Sequence, residues 1–347
     1  MTLTRRTFMG QASATATAVL APTLATAQTS GYAGRADVRR FAAELQSLHG
    51  VDASWSERVL AQAQFLTQVP RLMMPPSRPG VRNWRVYRSR FVEPIRIRAG
   101  STFWEDNAAT LDKAAREFGV PPAVIVGVIG VETIYGRNVG NFRVLDALAT
   151  LTFDFPREHP KAQARQAYFE GELTQFLVSA SRTRSDPLAP VGSYAGAMGL
   201  PQFMPTSWAK FARDYDGDGR IDLWNSPADA IGSVANYLRA FGWQAGLPTH
   251  WPLAVTRSAA LQPALEADIL PSFTATQLQS VGVAVPAAAS ALGTPLAVVE
   301  LPNGTGEADF VLTTPNFYVV TRYNWSAFYA LAVLELGQAV ARNLGRA

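Results

Sequence analysis

An apolar run near the middle of the chain constrains the fold most, because only a buried helix can accommodate it. The run begins at Pro121 and Pro122, which suit a first helical turn, where the N–H that proline lacks would have no partner. Residues 123–131 carry no charge, so the predicted helix is apolar on nearly every side. Its first carboxylate comes at Glu132, and the run ends at Gly136.

Glu132 has two interpretations, since a bare carboxylate is costly to bury and must be paired, protonated or turned toward a cleft. It is either a structural carboxylate that caps or bridges neighbouring groups, or a general acid kept protonated by apolar neighbours. A carboxyl group of the second kind is what glycosidases use to protonate a leaving oxygen. The position of Glu132 alone leaves both interpretations open.

The first residues are predicted to be a leader that is not part of the fold. Arg5 and Arg6 form a twin-arginine pattern, and an uncharged stretch follows as far as the small-residue motif Ala25-Thr26-Ala27. The alternative is a short membrane anchor, but membrane-spanning stretches are longer and more hydrophobic. We therefore expect export, cleavage of residues 1–27, a periplasmic location and no transmembrane segment in the mature chain.

Charge and composition exclude several classes of protein. Cleavage removes two arginines and no acid, so the formal charge falls from +4 to +2, which does not indicate a nucleic-acid-binding protein. The chain has no cysteine, which excludes disulfides, a thiol nucleophile, zinc thiolate sites and a lipid-modified cysteine. Only three histidines are present, which argues against a histidine-based metal site or catalytic triad.

Two segments with different patterns precede the apolar helix. Between residues 37 and 74, apolar residues at three- and four-residue spacing predict two amphipathic helices. Residues 81–103 hold six arginines interleaved with aromatic residues. This second segment is either a helix with a solvated basic face or a surface for an anionic, sugar-containing polymer, because arginine suits carboxylates and aromatic rings suit sugars.

A flexible stretch at residues 192–208 supplies neutral polar groups. Its small residues allow a ligand to approach the backbone closely, and Ser193, Tyr194 and Gln202 can bind sugar hydroxyls or acetamides. A turn-rich linker is the alternative. Four other carboxylates nearby are interpreted as surface or packing charges: Asp146, Asp154, Glu170 and Glu172.

The acidic segment 214–225 carries the most specific motif. Asp214, Asp216 and Asp218 occupy the first, third and fifth positions of an EF-hand loop, and the Arg220 carbonyl occupies the seventh. The twelfth position is Asn225 instead of glutamate, so we expect Asp229 to supply the closing carboxylate. Clustered aspartates repel one another without a cation, which predicts structural Ca²⁺; an acidic surface turn is the alternative.

The C-terminal part changes character. Residues 296–315 predict β-strands with a turn at Asn303-Gly304, and residues 316–324 predict another extended segment. A helix is predicted for residues 228–241, and a final helix for residues 325–343.

Five motifs, taken together, resemble the membrane-bound lytic murein transglycosylase B family. In chain order they are Glu132-Thr133-Ile134-Tyr135-Gly136, residues 196–205, the acidic segment, residues 233–238 and Thr321-Arg322-Tyr323-Asn324. The resemblance implies a mainly α (α+β) fold, a lysozyme-like helical core with an N-terminal helical domain and a small β-rich domain near the C-terminus. The boundaries we expect are 28–105 for the N-terminal helical region, 106–250 for the core, 251–322 for the β-rich domain and 323–347 for a helix returning to the core.

The resemblance also implies a reaction. Peptidoglycan would be cleaved between N-acetylmuramic acid and N-acetylglucosamine without addition of water, giving a 1,6-anhydromuramic product. Glu132 would act first as acid and then as base, with the substrate acetamide stabilising the cation at C1. This agrees with the single conspicuous carboxylate, since a two-carboxylate glycosidase would need a second. Ser193 and Gln202 would orient the substrate, and the residues resembling cleft-lining positions are Tyr87, Tyr237, Tyr323, Asn324 and Tyr329.

The predicted partners are glycan strands of peptidoglycan, with proteins of cell-wall synthesis or division as further partners. No organic cofactor is expected. Two other functions stay open at this point, a hydrolytic muramidase on the same scaffold and a cell-wall binding scaffold without turnover.

Overall fold

The structure is a computed structural model that describes residues 31–76 and 80–346. The predicted leader, residues 1–27, lies outside the described residues. Within these ranges the chain forms sixteen helices and five short strands. No single helix described there is long and apolar enough to cross a membrane; one helix pair, Ala108–Phe118 with Pro122–Thr133, meets the length and composition test only together and is bent by 115°.

The N-terminal region forms three helices. They are α1 (Ala36–His49), α2 (Ala53–Leu60) and α3 (Gln68–Met73). Asp52 caps α2 by accepting a hydrogen bond from the Trp55 amide at 2.6 Å. Gly50 ends α1 in the left-handed conformation that glycine adopts without steric cost. The two helices predicted before residue 74 are therefore three.

The arginine-rich segment folds as two helices, α4 (Trp84–Ser89) and α5 (Pro94–Asp106). The break between them follows from local sequence, because the Glu93 side chain accepts from the Ile95 and Arg96 amides and starts a new helix ahead of Pro94. Helices α6 (Ala108–Phe118) and α7 (Pro122–Thr133) follow. Every residue of α7 from Val124 to Val131 is buried, as its apolar sequence predicts.

The remaining elements complete a helical body and a small β unit. The helices are α8 (Val144–Phe153), α9 (Ala162–Thr183), α10 (Pro205–Phe211), α11 (Pro227–Ala240), α12 (Gln262–Glu266), α13 (Ala275–Ser280), α14 (Ala287–Ser290), α15 (Pro315–Thr321) and α16 (Ala327–Asn343). The strands are β1 (Phe142–Arg143), β2 (Val191–Gly192), β3 (His250–Leu253), β4 (Ala297–Asn303) and β5 (Gly306–Thr313).

The predicted hairpin near the C-terminus is confirmed. Strands β4 and β5 pair antiparallel around Gly304, and β3 adds to the other side of β5, giving the strand order β3-β5-β4. Side chains alternate between two cores. Val298 and Leu312 pack with α12–α14, whereas Val299 and Val311 pack against the helical body. The sheet therefore joins the small unit to the rest of the molecule.

The prediction of an extended segment at residues 316–324 is wrong, because residues Pro315–Thr321 form helix α15. The apolar and β-branched residues there suit a strand by propensity, but the local start signal is helical. The Thr314 hydroxyl accepts from the Asn316 amide at 3.2 Å, and proline occupies the first helical position. Packing of the buried residues Phe317 and Val320 in the helical core then outweighs strand propensity.

Helices α7 and α16 pack closely and run antiparallel. A Cβ atom on Gly127 would clash with the Val333 carbonyl, and one on Gly337 would clash with the Ala123 carbonyl. These two pairs define a seam along which backbones touch, and the absence of side chains at the two glycines makes it possible. The seam ends where the C-terminus of α7 faces the first turn of α16.

Candidate active site

Glu132 lies half-buried at the C-terminal end of α7, at the negative end of the helix dipole. The helix stops immediately afterwards, since Ile134 and Tyr135 both adopt left-handed backbone conformations, at φ 52° and 54°. The Tyr329 hydroxyl, from the first turn of α16, donates a hydrogen bond to Glu132 Oε1 at 2.6 Å. One carboxylate is therefore presented at the end of a rigid, buried helix in a fixed orientation.

Three of the predicted cleft residues form a tyrosine cluster behind the carboxylate. The rings of Tyr323 and Tyr329 stack with centroids 6.3 Å apart, and Tyr237 lies 4.7 Å from Tyr323. All three are buried, and the hydroxyls of Tyr237 and Tyr323 donate to the carbonyls of Arg322 and Pro201, each at 2.8 Å. The three rings form a buried layer beside the carboxylate, and Tyr329 hydrogen-bonds Glu132 directly.

Tyr87 approaches Glu132 from α4. Its half-buried ring packs on Phe91 at 4.9 Å and on Phe328 at 5.5 Å, and Phe328 precedes Tyr329 in the chain. Burial raises the pKa of Tyr87 above its ordinary value, and the charge of the nearby Glu132 raises it further. Tyr87 is thus a protonated hydroxyl at neutral pH, able to donate a hydrogen bond beside the carboxylate.

The segment after β2 brings the predicted polar residues to a tight turn. Gln202 Nε2 donates to the carbonyls of Val139 at 3.1 Å and Gly199 at 2.9 Å, which leaves its Oε1 to accept from a ligand. Gln202 itself has φ 51°, a conformation uncommon for a side chain of its size. Ser193 Oγ accepts from the Ala197 amide at 3.0 Å. The Pro201 carbonyl bonded by Tyr323 ties this turn to the tyrosine cluster.

Asn324 lies in the connection between α15 and α16, next to Tyr323 in sequence, and is largely buried. The carboxylates interpreted as packing charges behave accordingly. Glu172 accepts from the Thr206 amide and hydroxyl, and the buried Asp146 accepts from Arg143. Neither is available as a second catalytic acid, so Glu132 remains the carboxylate that the geometry singles out among the described residues.

The arginines of α4 and α5 are mostly engaged within the chain. Arg85 pairs with Asp309 of β5 at 3.1 Å, and Arg88 pairs with Glu335 of α16. The Arg82 guanidinium lies 4.9 Å from the centre of the Phe328 ring. These contacts hold α4 against the sheet and α16. The sequence analysis did not predict that these arginines attach α4 to the sheet and to α16, nor that Phe328 packs on Tyr87. The position of Phe328 next to Tyr329 was the available signal.

The acidic segment brings three of the predicted ligands together. Carboxylate oxygens of Asp214, Asp216 and Asp229 lie within 4.8 Å of one another. Asp229 is buried, and it accepts from the amides of Tyr215 at 2.7 Å and Asp222 at 2.8 Å. Asp218 lies outside this group and pairs with the side chain of Arg220. The oxygen-only donor set fits a hard divalent cation such as Ca²⁺.

Comparison with known proteins places this arrangement in a family. The transglycosylase SLT domain matches residues 33–338, most of the chain. The chain belongs to the transglycosylase SLT family. The membrane-bound lytic murein transglycosylase B of Escherichia coli is 40% identical over 319 residues, covering 89% of this chain and 84% of that protein. Both findings confirm the family and the enzyme class predicted from sequence.

Solved structures of the same family confirm the fold class. The Escherichia coli lytic transglycosylase Slt35 in complex with calcium is 40% identical, with a TM-score of 0.79, covering 92% of this chain and 96% of that one. SltB3 from Pseudomonas aeruginosa in complex with NAG-NAM-pentapeptide is 29% identical, with a TM-score of 0.73, covering 87% and 78%. The mainly helical, lysozyme-like architecture expected from the sequence is therefore the architecture found.

Proposed function

We infer that the protein is a lytic murein transglycosylase that cleaves the β-1,4 bond between N-acetylmuramic acid and N-acetylglucosamine in peptidoglycan. The observation that carries this inference is the single carboxylate of Glu132, fixed by Tyr329 at the end of a buried helix in a chain of this family. The SltB3 structure with a NAG-NAM-pentapeptide supports the same substrate class for this chain.

The reaction needs one carboxyl group in two states. Protonated Glu132 gives its proton to the glycosidic oxygen as the bond from that oxygen to C1 of the muramic residue breaks. The substrate acetamide stabilises the developing cation at C1. The C6 hydroxyl oxygen then bonds to C1, and its proton passes to Glu132, which regenerates the acid. No water is consumed, and the product ends in a 1,6-anhydro ring.

The proposed substrate contacts follow from where the side chains lie. Gln202 Oε1, Ser193 Oγ and the Tyr87 hydroxyl would bind and orient the sugars around the scissile bond, with Asn324 beside them. The buried Tyr237 and Tyr323 would act by holding the Gln202 turn and α16 in place. Tyr329 would orient the Glu132 carboxyl.

We further propose that Asp214, Asp216 and Asp229 hold a structural Ca²⁺, which neutralises charge that would otherwise destabilise the acidic segment. Asp218 and the Arg220 carbonyl remain the other proposed ligands. The Slt35 complex with calcium supports this assignment. A hydrogen bond from Ser226 lowers the pKa of Asp216, so this ligand is ionised at neutral pH. We expect no organic cofactor.

The location and organisation complete the proposal. Cleavage of a leader at residues 1–27 would deliver the enzyme to the periplasm, where its glycan substrate and cell-wall synthesis or division proteins meet it. The domains we propose are 28–105, 106–250, 251–322 and 323–347, with the last helix returning to the core.

The decisive experiment is mass spectrometry of purified sacculi after digestion, comparing wild type with Glu132→Gln. We expect anhydro-terminated fragments from the wild type and none from the variant. The matched control is Glu105→Gln, because Glu105 is an exposed carboxylate of α5 and its loss leaves the reaction unchanged. Reducing muramic ends that incorporate solvent oxygen would instead show a hydrolytic muramidase, and the absence of any cleavage by the wild type would show a binding scaffold.

A further inference from the structure

Thr133 follows Glu132 directly, and its side chain is completely buried. The hydroxyl accepts from the Gly136 amide at 3.1 Å, and its own hydrogen points to the Leu200 carbonyl oxygen at 2.9 Å, closer than the Ile129 carbonyl of α7 at 3.3 Å. A buried hydroxyl needs such partners, because leaving it unpaired is costly. Leu200 and Gly136 lie outside α7, so this side chain connects the end of the catalytic helix to two other pieces of backbone.

The Gly136 bond spans a strained turn. Two consecutive residues without glycine's freedom, Ile134 and Tyr135, have φ of 52° and 54°. Such conformations persist only where the surroundings hold them, and they concentrate at functional sites. The Thr133 hydroxyl closes this turn from one end to the other. It therefore stabilises the backbone geometry that terminates α7 just beyond Glu132.

The Leu200 bond reaches the turn that carries the proposed substrate-orienting amide. The Gln202 amide donates to the Gly199 carbonyl at 3.1 Å, so Leu200 and Gln202 belong to one tight turn. On its other side Leu200 donates its own N–H to the Leu223 carbonyl at 2.8 Å, which is part of the acidic segment. The backbone of Leu200 is thus bonded through its N–H to the acidic segment and through its carbonyl to Thr133.

We propose that Thr133 is a positioning residue that fixes the Glu132 carboxyl relative to the turn that carries Gln202. This inference rests on the proposed function, because it assigns Glu132 and Gln202 to one substrate. Thr133 is buried and does not touch the sugar. It acts by joining the two elements that do, and a displacement of about 1 Å between such groups lowers a rate about 100-fold.

The test compares two substitutions that differ in the hydroxyl. Thr133→Val keeps the shape and removes the hydrogen bonds, whereas Thr133→Ser keeps the hydroxyl and removes a methyl group. We expect the Val variant to lose about 10- to 100-fold in kcat with KM within about twofold of wild type, and the Ser variant to stay within about threefold of wild-type kcat. Should the Val variant fail to fold, Thr133→Ala removes the same hydroxyl without adding a methyl group, with the same expected loss in kcat.

Hydrogen–deuterium exchange supplies a readout besides activity. In the Val variant, the amides of residues 134–138, 199, 200, 202 and 203 should exchange faster, while those of α9 exchange at the wild-type rate. A Ser variant as slow as the Val variant would assign the effect to packing and overturn the positioning role. So would a folded Val variant with wild-type kcat. A wild type that releases no anhydro-terminated fragments would overturn the proposed function itself, whereas an active wild type with an equally active Val variant overturns this inference alone.

Discussion

At the scale of single residues, the site depends on one hydroxyl-to-carboxylate contact. Tyr329 is completely buried, and its hydroxyl meets Glu132 Oε1 at 2.6 Å. Burial and the adjacent Glu132 charge raise the pKa of Tyr329 well above its ordinary value, so this hydroxyl stays protonated throughout the working pH range. Its hydrogen bond to Oε1 orients the carboxyl group that we propose as the proton donor.

Removing that hydroxyl tests its orienting role. We expect Tyr329→Phe to lower kcat about 10- to 100-fold through loss of carboxyl orientation. The free energy of unfolding should change by no more than about 1 kcal/mol, because the substitution removes the buried donor and leaves a half-buried carboxylate that water can reach. Steady-state kinetics measure kcat, and a thermal melt measures the change in stability.

The control for Tyr329→Phe is Tyr318→Phe. The Tyr318 hydroxyl on α15 accepts a hydrogen bond from the guanidinium of Arg322, just beyond the helix, at 3.2 Å, so its loss should leave kcat unchanged. Equal kinetic losses in the two variants would contradict the orienting role of Tyr329.

At the scale of elements, the seam between α7 and α16 determines where Tyr329 meets Glu132. Gly127 lies against Val333, and Gly337 lies against Ala123. Both contacts have the same antiparallel register that brings Tyr329 to Glu132. Larger residues in the seam would push the helices apart. The glycines therefore set an interhelical distance that a single tyrosine side chain can bridge.

We expect Gly127→Ala to destabilise the protein by about 1–3 kcal/mol, since the added methyl group meets backbone that cannot move aside. Gly171→Ala is the matched control, because a Cβ atom on this exposed residue of α9 meets no atom within 4 Å. Alanine there should stabilise by up to about 1 kcal/mol through its higher helix propensity. Denaturant unfolding measures the change in the free energy of unfolding of each variant. Equal changes in the two variants would contradict the close packing of α7 on α16.

The acidic segment yields a second prediction at this scale. If Asp214, Asp216 and Asp229 bind Ca²⁺, a chelator should lower the Tm, because ligand at about a hundredfold excess over its Kd contributes about 2.7 kcal/mol. Asp216→Asn should abolish the difference between melts with calcium and with chelator. Asp112→Asn, at an exposed carboxylate of α6 outside the acidic segment, should retain the difference in full. Identical melts with calcium and with chelator in the wild type would refute the metal assignment.

At the scale of the whole molecule, the sheet and α4 connect the small unit to the helical body. His250 of β3 contributes through its ring, which lies 6.0 Å from that of Phe317 on α15. Burial lowers the pKa of His250 from 6.5 to about 4. Between these values the unfolded chain binds a proton that the folded chain does not, so stability falls as the pH drops from 6.5 toward 4.

The expected slope from this group is at most about 1.4 kcal/mol for each pH unit in that window. The measurement is the free energy of unfolding at pH 7, 6 and 5 for wild type and His250→Gln. The variant should show a shallower decline, because glutamine does not titrate. His49→Gln is the control at an exposed site. If it changed the slope as much as His250→Gln does, the assignment to His250 would be refuted.

The sequence analysis predicted those parts of the structure that depend on interactions between residues close together in the chain. The uncharged run before Glu132, the Asn303-Gly304 turn and the aspartate spacing each determine structure over a few residues, and the structure shows the corresponding helix, hairpin and carboxylate group. Helix α15 was mispredicted because its strand-like composition is outweighed by Thr314 and by packing. The contacts of Tyr329 and Thr133 could not be predicted, since both join distant parts of the chain.

The Tyr329–Glu132 hydrogen bond joins residues 197 positions apart in sequence. Contacts with so large a separation form only after the intervening chain is ordered, because closing the loop costs entropy before the contact is gained. The carboxyl group is thus not oriented until α16 has docked against α7. In a refolding experiment, hydrolytic or transglycosylase turnover should therefore appear no earlier than protection of the α16 amides.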